Sequence, residues 1–476
     1  MSRTRRNAAW WAGWAVLSAL AGAYLALGLS TKEAGSKPVL APVRTLFLPG
    51  ATTSGHYQIE LACESCHTDP FAGRDALQDA CVKCHGAALK EANDTHPLSK
   101  FTDPRNADRT AKLDATYCVT CHVEHRPRIT DEMGVTVPQD FCFHCHSGEN
   151  DITKERASHR GMGFDTCANA GCHNFHDNRA LYEEFLLKHR TAPDLAVRPL
   201  LPARDYAKIV RELPSYPSSR YPLRQLTLAD RDAPASLHAD ERLQQDWLAT
   251  AHAKAGVNCS GCHEAAADGR TVWTERPGPQ ACAACHGAET QGFLSGKHGM
   301  RLAQHLPAMS PGAARLPMKA AARDRILSCT SCHGAHRFDT RAAAVTACLA
   351  CHDDTHSAAY ERSPHAGLAR REQAGELPAG SGVTCAGCHL PRITHRTDDV
   401  KRTLVQHNQN DNLRPGEKMV RSVCLQCHGL RFALDALADP ALVARNFSGQ
   451  PARHVASMDM AERREREIEE KKRRGE

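Results

Sequence analysis

From Asn7 to Thr31 the chain runs 25 residues without a charge. That stretch is long enough to span a bilayer as a helix. Arg3, Arg5 and Arg6 precede it, which holds the N-terminus in the cytoplasm. Trp10, Trp11 and Trp14 stand at the cytoplasmic end, where interface aromatics sit. A cleaved signal peptide is the competing expectation, with Ala19-Leu20-Ala21 or Ala21-Gly22-Ala23 as the cleavage site. Apolar residues continue past those sites through Leu25, Leu27 and Leu29, which favours an uncleaved anchor. Either way, the rest of the chain is exported.

Beyond residue 31 the apolar pattern is sparse. Arg179 to His189 places Leu181, Tyr182, Phe185 and Leu186 on one helical face. Ala239 to Lys254 predicts a second helix, with His252 near its end. Between them, Thr191 to Ser236 holds seven prolines and predicts an extended linker or surface strap. Met460 to Glu476 is almost wholly charged with mixed signs and predicts a solvated or frayed helix. The pattern gives little support for sheet.

The 476 residues are enough for two or three domains, yet only 5% are aromatic. That is a thin supply of side chains for conventional cores. The cysteines supply the missing part of the picture. All 22 fall in eleven motifs of the form Cys, gap, Cys, His. Ten have a two-residue gap: Cys63/Cys66/His67, Cys81/Cys84/His85, Cys118/Cys121/His122, Cys142/Cys145/His146, Cys259/Cys262/His263, Cys282/Cys285/His286, Cys329/Cys332/His333, Cys348/Cys351/His352, Cys385/Cys388/His389 and Cys424/Cys427/His428. One, Cys167/Cys172/His173, has a four-residue gap. Zinc sites, iron–sulfur sites, dithiol centres and disulfides all use paired cysteines, but none needs a trailing His. Cys-x-x-Cys-His is the attachment signature of c-type haem. Its thiols form thioethers to the porphyrin and its His becomes the proximal iron ligand. About eleven covalent haems are therefore expected, and each is a large apolar plate that replaces side chains as core.

Formal net charge is +6. Haem propionates bring about −2 per haem and each ferric bis-imidazole haem about +1, so the oxidised loaded protein sits at about −5 and the reduced one, without the ferric charge, at about −16. Nucleic acid is thus not an expected partner. Many Lys and Arg are expected to pair with propionates.

Seventeen histidines lie outside the motifs. His56 precedes Cys63 by seven residues, as His252 precedes Cys259. His96 and His298 follow His85 and His286 by eleven and twelve. His125 and His336 each lie three after a motif His, and His159 and His365 each lie thirteen after one. His176 and His395 follow the fifth and tenth motifs. The chain thus divides into a cytoplasmic end and anchor at 1–31, a five-motif module at 56–189, a Pro-rich linker at 190–238, a second module at 239–400, an eleventh-motif segment at 401–456 and a charged tail at 457–476. The ten repeated histidines are the expected sixth ligands. In Cys-x-x-Cys-His-x-x-His the second His is expected to serve a neighbouring haem. For the Cys424 haem the expected ligand is His454 or else His407, with Met458 and Met460 as weaker candidates. Surface or propionate contacts are expected for His144, His189, His238, His305 and His356.

Over roughly residues 56–454 the chain resembles the multihaem c-type cytochromes, especially pentahaem and decahaem electron-wire proteins in which a five-haem module is duplicated. The resemblance implies a haem-cored fold of mostly short α-helices and irregular loops with little sheet. It also implies a compact row of bis-His haems at low potential, and electron transfer without bond chemistry. The eleventh motif, the wide-gap motif and the anchor depart from that pattern. The expected role is a conduit from the bacterial cytoplasmic membrane, with its haem domain in the periplasm, between a quinol-linked membrane complex and cytochromes or terminal reductases. A soluble periplasmic form after signal cleavage is the alternative location. A nitrite, hydroxylamine or sulfur-oxyanion oxidoreductase with one open haem is the alternative function, and a haem subunit of a larger respiratory complex a third.

Overall fold

The computed structural model describes residues 3–31, 34–69, 72–92, 94, 96–130, 134–138, 140–146, 175–177, 181–196, 216–238, 240–267, 270–397, 400–413 and 417–475. Cys167, Cys172, His173 and His159 lie outside the described residues, as do the middle of the Pro-rich segment and the side chains of Arg3, Arg5, Arg6 and His395. The chain forms two compact units: residues 1–182 with 300–307 and 463–476, and residues 183–299 with 308–462.

In the first unit, helix α1 (Arg3–Ser30) carries no charge after Arg6, and Asn7–Ser30 is long and apolar enough to cross a membrane. The C-terminal end of this helix packs into the domain after it. Helix α2 (Ala41–Phe47) crosses so closely that a Cβ on Gly28 would lie 2.5 Å from that of Val43. The Tyr24 hydroxyl donates to Val39 O at 2.7 Å. The buried guanidinium of Arg44 donates to Thr31 O and Leu61 O, each at 2.9 Å, and to Glu64, which stands between the first two cysteines. Arg44→Ala strands those acceptors, so a loss of about 3 kcal/mol is expected, measured by denaturant unfolding of the haem-loaded protein. Helix α3 (Arg74–Ala92) carries the second motif.

In the second unit the expected 179–189 helix is shorter, as α4 (Glu183–Lys188). It belongs here because Leu186 is buried and Phe185 lies under the Arg421 guanidinium at 3.9 Å. The expected 239–254 helix is two helices. Asp240 caps α5 (Glu241–Leu248), and the Thr250 hydroxyl accepts from Ala253 N to start α6 (Ala251–Lys254). Leu226, from the Pro-rich segment, packs with Trp247 and Ala253. At the other end of that segment, Ala196 N donates to Cys427 O at 2.7 Å, so both described ends strap onto this unit. Among the described residues the sheet is two hairpins: β1 (Glu264–Ala267) with β2 (Arg270–Trp273), and β3 (Arg392–Thr397) with β4 (Val400–Val405). The expectation of a helix-rich, loop-rich fold with little sheet and one apolar N-terminal helix holds.

Helix α7 (Leu430–Leu437) and helix α8 (Ser457–Arg474) meet through Arg431, which pairs with Asp459 and Glu462. The tail is thus not wholly solvated: Met458 and Ala461 at its start are buried. His454 bridges the same corner, with Nε2 2.7 Å from Asp459 and Nδ1 3.2 Å from Asp435. Hydrogen bonds to Asp459 and then Asp435 raise its pKa above the ordinary value. A raised folded pKa stabilises below the unfolded value, about 6.5, and the stabilisation disappears as pH rises through the folded one. Amide exchange in the first turn of α8 is therefore expected to speed up above that pH.

Candidate haem-binding sites

Each described motif lies on a helical or 3-10 turn, the second of them within helix α3. The motif His amide donates to the carbonyl of the first cysteine in Cys63, Cys118, Cys142, Cys259, Cys282, Cys348 and Cys424, at 2.7–3.0 Å. In such a turn, positions i, i+3 and i+4 share one face. Both thiols and the imidazole therefore address one ligand.

Opposite most of these turns stands another histidine. Nine pairs of rings face each other with centroids 5.8–6.3 Å apart: His56–His85, His96–His146, His122–His176, His252–His286, His263–His336, His298–His352, His333–His407, His356–His389 and His365–His428. Every pair joins one motif His to one non-motif His. Two imidazoles bound trans to one metal, at about 2.0–2.1 Å each and about 1.1 Å from nitrogen to centroid, give about 6.2 Å. The spacing fits an iron between the rings.

The ring nitrogens agree. Nδ1 of His96, His122, His125, His263, His356, His407 and His428 donates to a backbone carbonyl: Phe175, Gly134, Gly50, Thr274, Val443, Val405 and Asp194 respectively. That bond fixes the tautomer and leaves the Nε2 lone pair for a metal, with the Asn446 amide 3.2 Å from it at His356. Burial, followed by neighbouring histidines, lowers His252, His298, His365 and His389 to about 4, so these rings are neutral at pH 7. Flat side chains hold several rings: Trp273 stacks on His263 at 4.8 Å and Phe175 on His96 at 4.2 Å. Nδ1 of His56 instead meets Oε1 of Glu124 at 2.5 Å. Burial raises the Glu124 pKa, but hydrogen bonds from His56 and Thr53 win and hold it down near about 2.

Three histidines depart from the sequence reading, and a fourth, a motif histidine, has no facing ring among the described residues. His67, expected to ligate iron opposite a second imidazole, is exposed, and no pair among the nine includes it. The reason is local. Its motif is a 3-10 turn (Cys63–Ser65) at the surface, where both Cys63 and Cys66 are exposed as well. The turn is fixed by its backbone, with His67 N donating to Cys63 O at 2.8 Å, and not by packing of the ring. His454 does not face His428; both its nitrogens are taken by carboxylates at an exposed corner, and His365 stands there instead. His407 faces His333 rather than the Cys424 motif. The β3–β4 hairpin explains this: His395 sits in β3, paired with Arg402, and the chain delivers His407 just after β4. His356, expected at the surface, faces His389, with the Asn446 amide 3.2 Å from its Nε2. His336, expected to serve a neighbouring motif, lies 5.8 Å from His263. His238 uses Nε2 to reach Ala233 O at 2.8 Å, which suits a structural role.

One opposed pair, His252 and His286, borders a pocket that also holds its motif's thiols. That pocket, partly open to solvent, has His252 and His286, Cys282 and Cys285, Val257, Pro277, Pro279 and Phe338 in its wall. Rings, thiols and apolar walls are what a covalently held haem requires. The thiols also link motif to motif. The first cysteines of consecutive motifs lie within hydrogen-bond reach in Cys81–Cys118, Cys282–Cys329 and Cys348–Cys385. Burial raises Cys66, Cys262, Cys332 and Cys388, and the next motif's thiols add to it: Cys84 for Cys66, Cys285 for Cys262, Cys348 and Cys351 for Cys332, Cys424 and Cys427 for Cys388. In the second unit the six motifs from Cys259 to Cys424 are thus neighbours in chain order.

Residues 55–147, which hold the first four motifs, match the family model described as cytochrome c3. No curated protein and no solved structure matches the chain. The chain therefore carries a cytochrome c3-like, multihaem electron-transfer region with covalently bound haem c.

Proposed function

We propose that this protein is a membrane-anchored periplasmic cytochrome that holds eleven haem c groups and conducts electrons between membrane redox proteins and downstream acceptors. The nine opposed histidine pairs carry the reading, because each offers two imidazoles to one iron beside its own pair of thiols. Six-coordinate haem supplies one-electron exchange and leaves no open position for substrate. The protein's part is to hold the porphyrins edge to edge, as thiols within hydrogen-bond reach favour, and to shield them from water.

The two modules, 56–189 and 239–400, are read as copies. Among their common features, His125 and His336 both sit at left-handed φ, 61° and 62°. His336 faces His263, so by the same pattern His125 serves the haem at Cys63 opposite His67, and His159 is left for Cys167. Retention of the anchor is supported by the Arg44, Tyr24 and Gly28 contacts, which make residues 24–31 part of the folded domain. A quinol-linked membrane complex is the proposed donor, and cytochromes or terminal reductases the proposed acceptors.

The test is a pyridine haemochrome count on the full chain purified from membranes. Eleven haems in carbonate-resistant membranes are expected. A count below ten, or recovery in the soluble fraction, contradicts the reading.

A further inference from the structure

The corresponding second haems of the two modules have different partners behind their axial histidines. Behind His56, the Glu124 carboxylate lies 2.5 Å from Nδ1 and is fixed by the Thr53 amide at 2.7 Å and hydroxyl at 2.9 Å. Behind His252 there is none: its buried Nδ1 has no hydrogen-bond partner among the described residues, and the Phe338 ring packs against it at 4.5 Å. The sequences explain the difference. Glu124 lies two residues after His122 in Cys-Val-Thr-Cys-His-Val-Glu-His; the matching position in Cys-Thr-Ser-Cys-His-Gly-Ala-His is Ala335. Other carboxylates near facing rings stand off: Asp94 is 3.5 Å from His176 and Asp354 is 3.8 Å from His352.

A carboxylate that accepts the Nδ1 proton makes the imidazole a stronger donor through Nε2 and so favours the ferric ion, which carries the extra charge. An imidazole with no acceptor lacks that push. We propose that Glu124 is a potential-setting residue: it holds the haem at Cys81, Cys84 and His85 below its counterpart at Cys282, Cys285 and His286. The duplicated sites then differ in driving force although their thiols and axial rings are alike. The inference rests on the bis-His reading of His56.

The test is an EPR-monitored redox titration of the haem-loaded full chain. His56→Ala first identifies the low-spin signal of this haem as the one replaced by a high-spin signal. In Glu124→Gln that signal should persist, with its ferric-to-ferrous ratio at a fixed potential lowered about tenfold. Glu124→Asp should restore most of the difference, which a merely structural role would not do. A Glu124→Gln titration that overlays the parent's, with His56→Ala still producing one high-spin haem, overturns the inference alone. No high-spin haem in His56→Ala overturns the axial reading and this inference with it.

Discussion

His407→Ala should convert one low-spin haem to high spin, and His454→Ala should convert none. His407 faces His333 at 6.3 Å with its Nδ1 tied to Val405 O at 2.9 Å, so its removal leaves the Cys329 haem with one axial imidazole. His454 holds only Asp435 and Asp459. His365→Ala should open the Cys424 haem, because His365 stands opposite His428. The effect is all-or-none for the affected iron, about one eleventh of total haem, and is read by EPR of the oxidised protein. High-spin signal in His454→Ala, or its absence in His365→Ala, would reverse the assignment of the eleventh haem.

Loss of one haem should destabilise the second unit by several kcal/mol rather than merely dim its absorbance. The pocket at Cys282 and Cys285 is walled by Val257, Pro277, Pro279 and Phe338, apolar side chains that a haem would cover. A haem is a large apolar plate, and exposing the side chains around it to water at about 25 cal/mol per Å² costs several kcal/mol, a large share of the roughly 5–15 kcal/mol that usually holds a domain together. Replacing both Cys282 and Cys285 with Ser removes the thioethers. The expected result is a haem count one lower, or still lower as neighbours fail to load, and proteolysis across 216–338 under conditions where the parent resists. A doubly substituted protein as protease-resistant as the parent would show that side chains alone carry this core.

The sequence makes the attachment sites plain because thioether chemistry requires contiguity: two thiols and a ligand on one turn. The apolar N-terminal helix is equally plain, since its 25 residues from Asn7 to Thr31 carry no charge. The distal histidines are another matter, because each comes from elsewhere in the chain and only folding decides which motif it meets. Repeated spacing singles out His56, His96, His176, His252, His298, His336 and His365, but does not say which motif each one faces. His395 holds the repeat position after the tenth motif, yet the β3–β4 hairpin puts His407 opposite His333. His356 lies four residues after His352, where spacing alone suggests a surface residue; the Val443 carbonyl orients it toward His389. Its signal is present in the arithmetic, because discarding His454 leaves a ligand short. The exposure of His67 has no such signal, since its motif reads like the other nine of regular gap. The break between α5 and α6 is readable in Thr250, a capping residue in the middle of an otherwise helical pattern.

In the proposed conduit every iron is closed by two histidines. The most direct measurement is a spin-state count by EPR on the oxidised, fully loaded protein, set against its haem stoichiometry. Eleven haems, all low-spin and unchanged by nitrite, hydroxylamine or cyanide, are predicted. One haem's worth of high-spin signal that shifts with any of these would mean an open iron, and would make the protein an enzyme rather than a conduit.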